Sequence, residues 1–176
     1  MHSFPKAPLH CLINQRAHRL EVDILKQSMY LLDAQGQLIK TYPISTAKKG
    51  AGEQFGSYQT PRGWHVIRAK IGDKAPLGSI FVARRSKGEI YHPDMKLQFP
   101  ERDWILTRIL WLCGCEPAKN RFGSVDTMKR YIYIHGVPDE ASFETPRSKG
   151  CINMYNQDIV ELFDLIEPGA AVWIHE

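Results

Sequence analysis

The chain lacks any uninterrupted apolar run of the ~18 residues that a membrane-spanning helix requires. Its N-terminus also lacks the ~7–15-residue apolar segment and the small-residue cleavage site of a secretory leader. The expected location is therefore cytoplasmic, or periplasmic if a leader has been trimmed. Lysine and arginine form no long run and the formal charge of +4 is mild, so nucleic-acid binding finds little support, while an anionic substrate fits. Internal repeats, low-complexity tracts and linkers are missing as well. At 176 residues and 43% apolar content, the expectation is one domain over residues 1–176, with its core at about 20–175.

Cysteine is scarce. The four present, Cys11, Cys113, Cys115 and Cys151, show no scaffold-like spacing, which fits thiols in a reducing compartment. Cys113-Gly114-Cys115 is too tight for the usual zinc pair, and no second Cys/His pair lies at finger spacing. No metal or cofactor is expected. The same segment lacks the Cys-x-x-Cys spacing of a thiol redox protein.

What is present is a series of short strands. Residues 20–32 are apolar with partial alternation, 33–36 read as a hairpin turn, and 37–46 as the return strand with Pro43 at an edge or bulge. Residues 64–71 and 79–84 are two further strands, and 85–102 a surface excursion. Residues 103–112 fit helix or strand by period; their length, with Pro100 and Gly114 flanking them, favours a buried strand. From Asn156, an acceptable N-cap, Ile159, Leu162, Phe163 and Ile166 recur at helical spacing until Pro168-Gly169 stops them. A last strand covers 171–175. The fold class is mostly β, a β-sandwich or mixed sheet, with one main helix near 156–166 and short helical or loop insertions.

The segment HGVPDEASFETPRSKGC, residues 135–151, carries the candidate chemistry. A thiolate needs a lowered pKa, which a helix N-terminus and a nearby imidazole can supply; Cys151 lies shortly before the helix. Gly150 permits a sharp turn in which consecutive N–H groups converge near the sulfur, as in an oxyanion hole. His135 ends the YIYI strand, and the Gly136 carbonyl could accept its second ring N–H and fix the tautomer. The residue types alone leave two readings open: a nucleophile with its base, or a small buried cysteine near an unrelated histidine.

These residues resemble the catalytic signature of the YkuD-type L,D-transpeptidases. His135-Gly136, then Ser148-Lys149-Gly150-Cys151-Ile152-Asn153, is similar to that pattern, and the spacing of 16 residues from histidine to cysteine lies within its range. Tyr42-Pro43-Ile44-Ser45-Thr46 and Thr60-Pro61-Arg62-Gly63-Trp64 resemble upstream family elements. The resemblance implies that Cys151 is the nucleophile, His135 its base and later acid, and the Gly136 carbonyl its orienter. Ser148 and the N–H groups of Gly150 and Cys151 would support the loop and the oxyanion. Asn153 stands where many members carry arginine, and braces the loop or contacts substrate. Lys149, Arg84 and Arg85 are candidates for substrate carboxylates; the excursion at 85–120 is a candidate lid or wall.

By the same resemblance, the substrate is a peptidoglycan stem tetrapeptide, attacked at the L-centre carbonyl of diaminopimelate with release of D-Ala. The partners are peptidoglycan-derived peptides, and carbapenem-type inhibitors should acylate Cys151. A cytoplasmic location favours hydrolysis, an L,D-carboxypeptidase acting in recycling. The alternative is transpeptidation, giving 3-3 cross-links or protein–peptidoglycan links. A non-catalytic peptidoglycan-binding module is the other class, against which the intact His135 and Cys151 argue.

Overall fold

The computed structural model describes residues 5–8, 11, 13–14 and 17–176. Ten strands and two helices follow in the order β1 (Arg19–Asp23), β2 (Ser28–Leu32), β3 (Leu38–Pro43), β4 (Gly63–Ile71), β5 (Ser79–Val82), β6 (Arg85–Ile90), α1 (Pro93–Gln98), β7 (Ile105–Gly114), β8 (Tyr133–Gly136), β9 (Ile152–Met154), α2 (Asn156–Leu165) and β10 (Ala171–His175). The class expected from sequence holds. The run at 20–32 is not one strand, however. A turn at 24–27 folds it into the β1–β2 hairpin, because Asp23 Oδ1 accepts the Lys26 N–H at 2.9 Å and Gln27 takes a positive φ of 49°. The excursion after β5 likewise contains β6 and the short helix α1.

One mixed sheet runs β3-β2-β1-β10-β4-β7-β5-β6. Among the described strands, β1–β10 and β8–β9 pair in parallel and the other pairs are antiparallel. β7 is the pivot. It carries β4 and then β5 along one edge, and β8 along the other. Alternation along β10 shows how the layers form: Val172 and Ile174 enter the main core, while Ala171 and Trp173 face a second cluster around Trp64 and Cys115. Helix α2 closes the main core with Ile159, Leu162 and Phe163, and Ile166 follows at its C-terminal end. Each such side chain contributes roughly 1.5–3 kcal/mol by leaving water.

Two local corrections bear on the site. Asn156 is not the N-cap but the first helical residue. Tyr155 occupies the cap without a side-chain bond, while Asn156 turns inward to bond the Val137 carbonyl and Asp139. On the opposite face of the sheet, Cys11 and Cys115 form a disulfide with Cα atoms 5.2 Å apart, contrary to the expectation of four thiols. The bond ties the N-terminal segment to the end of β7, leaving Cys113 and Cys151 free. Sequence spacing gave no hint of it, since its ends lie 104 residues apart. Among the described residues, no group of three or more potential metal ligands converges.

Candidate active site

The parallel β8–β9 pair sets His135 opposite Asn153, and Cys151 stands just before β9. Side chains alternate along a strand, so Cys151 and Asn153 share the face that His135 occupies. Asn153 is therefore the direct neighbour of the imidazole and Cys151 the diagonal one. The hydrogen bonds follow this order. His135 Nδ1 donates to the Gly136 carbonyl at 2.8 Å, which leaves the Nε2 lone pair facing Asn153 Nδ2 at 3.2 Å. The sulfur is placed instead by Tyr133, whose N–H points at it from 3.4 Å, and by the Tyr131 carbonyl at 3.5 Å.

Gly136 is required by close approach. A Cβ there would lie 2.5 Å from Asn156 Oδ1 and 2.9 Å from the Leu106 carbonyl. Opposite it, β7 bulges between Leu106 and Ile109, where Thr107 adopts φ 69° and its hydroxyl donates to Asn156. A β-branched residue in that region is strained, as often near functional sites. The bulge aims the His135–Gly136 link at the sulfur side of the sheet.

The nucleophile loop is held by two hydroxyls, those of Ser148 and Thr60. Ser148 Oγ donates to the Cys151 carbonyl at 2.5 Å and accepts the Gly150 N–H at 3.1 Å. Thr60, from the Thr-Pro-x-Gly segment, donates to the Gly150 carbonyl and accepts the Ala47 N–H, each at 3.0 Å. Gly150 itself takes φ 127°, open to glycine, and an added Cβ would press on Ile132. Helix α2 plays no direct part, because β9 separates its first residue from Cys151.

Burial sets the protonation states. It pushes the Cys151 thiol up to about 12; the Asp103 carboxylate adds to this, and the Tyr133 N–H and Arg130 oppose it. Burial also lowers His135 below the ordinary histidine value, against the pull of Asp103 and the Gly136 carbonyl. Both shifts favour the neutral thiol and the neutral imidazole, opposite in direction to the lowered thiol pKa expected from sequence. Such a pair works by general-base catalysis, the thiol losing its proton to Nε2 as the sulfur attacks.

The sulfur opens into a cavity of about 620 Å³ lined by Phe55, Tyr58, Tyr131, Tyr133, Arg84 and Arg130, among others. Arg84 reaches it from the two-residue β5–β6 turn, where Ala83 and Arg84 both take positive φ. Its guanidinium lies over Trp111 and Tyr131 and donates to the Tyr133 hydroxyl at 2.9 Å. Arg85 points elsewhere, exposed on β6 and outside the cavity lining. Arg130 pins the loop at 52–59 through the carbonyls of Gly52, Glu53 and Gln59. A second, smaller cavity of about 160 Å³ lies on the Asn153 side; Lys149 and Asp103 line both. Of the 85–120 excursion, only residues 96–105 contribute to these walls, since β7 belongs to the centre of the sheet. Sequence reasoning missed Asp103, Arg130 and the Tyr133 N–H. None carries a local motif, and each reaches the site through pairing of distant segments.

The L,D-transpeptidase catalytic-domain model, YkuD, matches residues 17–174. This chain belongs to the YkuD L,D-transpeptidase family. YkuD of Bacillus subtilis (strain 168) is 40% identical over 47 residues, an alignment that covers 27% of this chain and 29% of that protein. A solved L,D-transpeptidase from Xylanimonas cellulosilytica superposes with a TM-score of 0.57 at 16% identity, covering 98% of this chain and 65% of that one. An L,D-transpeptidase in complex with imipenem gives 0.52 at 15% identity, covering 90% and 59%. At such identities the likeness is one of fold. The chain spans less than two thirds of the length of each of these proteins. Family membership identifies residues 17–174 as an L,D-transpeptidase catalytic domain.

Proposed function

We propose that the protein transfers the acyl group of a peptidoglycan stem tetrapeptide through a Cys151 thioester, with release of D-Ala. The observation that carries this reading is the placement of Cys151 and His135 on one face of the β8–β9 pair, at the edge of a cavity walled by Arg84. His135 Nε2, already in the basic tautomer, takes the thiol proton and returns it to the leaving amine. The Tyr133 N–H, aimed at the sulfur, is a donor available to a developing oxyanion, whereas the Gly150 N–H is already taken by Ser148 Oγ. Arg84 suits the carboxylate of the departing D-Ala.

Two acceptors can resolve the thioester. Hydrolysis was favoured by a cytoplasmic location, but the Cys11–Cys115 disulfide supports an oxidising compartment, where the cell-wall polymer lies. We therefore favour amine acceptors and transpeptidation over L,D-carboxypeptidase activity. Incubation with disaccharide-tetrapeptide, with and without an amine acceptor, followed by mass analysis, tests this. Cross-linked or amine-adduct product supports it; tripeptide and D-Ala alone, with acceptor present in excess, would return the reading to hydrolysis. Full turnover by Cys151→Ala would remove the nucleophile assignment. A carbapenem should add one acyl mass at Cys151.

A further inference from the structure

The thioester needs a second reactant, and the charges around the sulfur are poorly suited to an amine. Arg84, Arg130 and Lys149 line the larger cavity, so an approaching ammonium meets three cations. Among the described residues, Asp103 is the only carboxylate on that lining and the only one shared with the smaller cavity on the Asn153 side, whose lining adds Glu101 and the cations of Lys96, Arg102 and Arg147. It stands exposed at the mouth, two residues before β7. Among the described residues its carboxylate makes no ion pair or hydrogen bond, and its charge is felt by both His135 and Cys151. The smaller cavity, at about 160 Å³, has room for an ammonium and the short chain bearing it, but not for a whole peptide.

We propose that Asp103 is the acceptor-recognition residue, taking the ammonium of an amine acceptor at the junction of the two cavities and holding it beside the acylated Cys151. This rests on the reading of Cys151 as an acyl carrier. When the acceptor reacts, its nitrogen bonds to the carbonyl carbon and the carbon–sulfur bond breaks. The ammonium loses one proton to solvent before attack and a second to His135 Nε2, which passes it to the departing sulfur. Water can hydrogen-bond to Asp103 but forms no ion pair with it, so the carboxylate biases the thioester toward amines.

The test measures how the acyl-enzyme partitions. With disaccharide-tetrapeptide as donor, a stem peptide bearing a free ammonium competes with water, and hydroxylamine, uncharged at neutral pH, serves as the control nucleophile. In Asp103→Asn the ratio of peptide adduct to hydrolysis product should fall by about fivefold, near the upper end for an exposed ion pair. The hydroxylamine ratio should change far less, and the salt dependence of peptide adduct formation should flatten. An equal fall for both nucleophiles would mean that Asp103 acts through His135, and no fall would mean it has no role; either overturns the proposal. Carbapenem acylation of Asp103→Asn, read by intact mass, keeps this failure distinct from a failure of Cys151 to become acylated at all.

Discussion

His135 and Asn153 are locked side by side: the parallel β8–β9 register places them opposite each other, with Nε2 and Nδ2 3.2 Å apart. The amide holds the imidazole in plane while Nδ1–H is fixed by the Gly136 carbonyl. The lone pair that must receive the thiol proton is thus presented but already engaged. Asn153→Ala should loosen the ring and slow carbapenem acylation, by less than the roughly 10²–10⁴-fold that loss of the general base itself would cost. Asn153→Asp makes a different prediction. A carboxylate cannot donate to Nε2 but stabilises the imidazolium, so the histidine pKa rises and the acid limb of the acylation profile moves to higher pH. An unmoved limb in Asn153→Asp would separate Asn153 from the proton transfer.

The neutral Cys151–His135 pair has its own signature. Because burial pushes the thiol up to about 12, its alkylation by iodoacetamide should still be accelerating with pH well above neutrality. His135 lies below its ordinary value, so its cation forms only on the acid side and the base remains available at neutral pH. Cys113, also raised by burial, is removed as Cys113→Ala so that one thiol reports. A labelling rate that levels off near pH 7 would show a preformed thiolate and sink this assignment.

Thr60 explains why the Thr-Pro-x-Gly segment belongs to the site despite lying far from Cys151 in sequence. Its buried hydroxyl pairs two main-chain groups, the Gly150 carbonyl and the Ala47 N–H. Thr60→Val keeps the shape and strands both, at a cost of about 1–3 kcal/mol for each unsatisfied group. Thr60→Ser should recover most of that. Denaturant titration of the three proteins decides the matter, and a valine variant within about 0.5 kcal/mol of the parent would contradict the bracing role, that being the usual scatter of neutral substitutions.

Apolar patterning made β4, β10 and α2 legible, while β7, ambiguous by period, was read from its length and its flanking Pro100 and Gly114. The β1–β2 turn was hidden, since its flanks are apolar on both sides and Gln27 is no customary turn residue. At the site, Cys151, His135, Gly136, Ser148 and Gly150 could be read because together they resemble one family signature; the residue types alone left two readings open. Asp103 and Arg130 could not, as their roles come from surfaces assembled by strand pairing across the chain. Helix α2 misled in a physical way. Its closeness to Cys151 in sequence suggested a dipole effect, yet three residues in extended conformation carry the chain away from the sulfur.

The Cys11–Cys115 bond gives the last prediction. It closes a span of 104 residues and anchors a segment that packs Ala7, Cys11 and Ile13 around Trp64, Ala171 and Trp173. In the chain-entropy account a closed loop of that size restricts the unfolded state by about 4–5 kcal/mol. Cys11→Ser with Cys115→Ser should therefore lose roughly 2–5 kcal/mol in denaturant unfolding, the range seen when native disulfides are removed. No residue packed around the bond lines the cavity at the sulfur, so Cys151 acylation by a carbapenem at low temperature should survive the loss. Alkylation of the parent protein before reduction should label two thiols, Cys113 and Cys151, and four afterwards. Four labelled thiols in protein taken directly from its native compartment would show that the bond does not form there, and would remove the support it lends to an oxidising location.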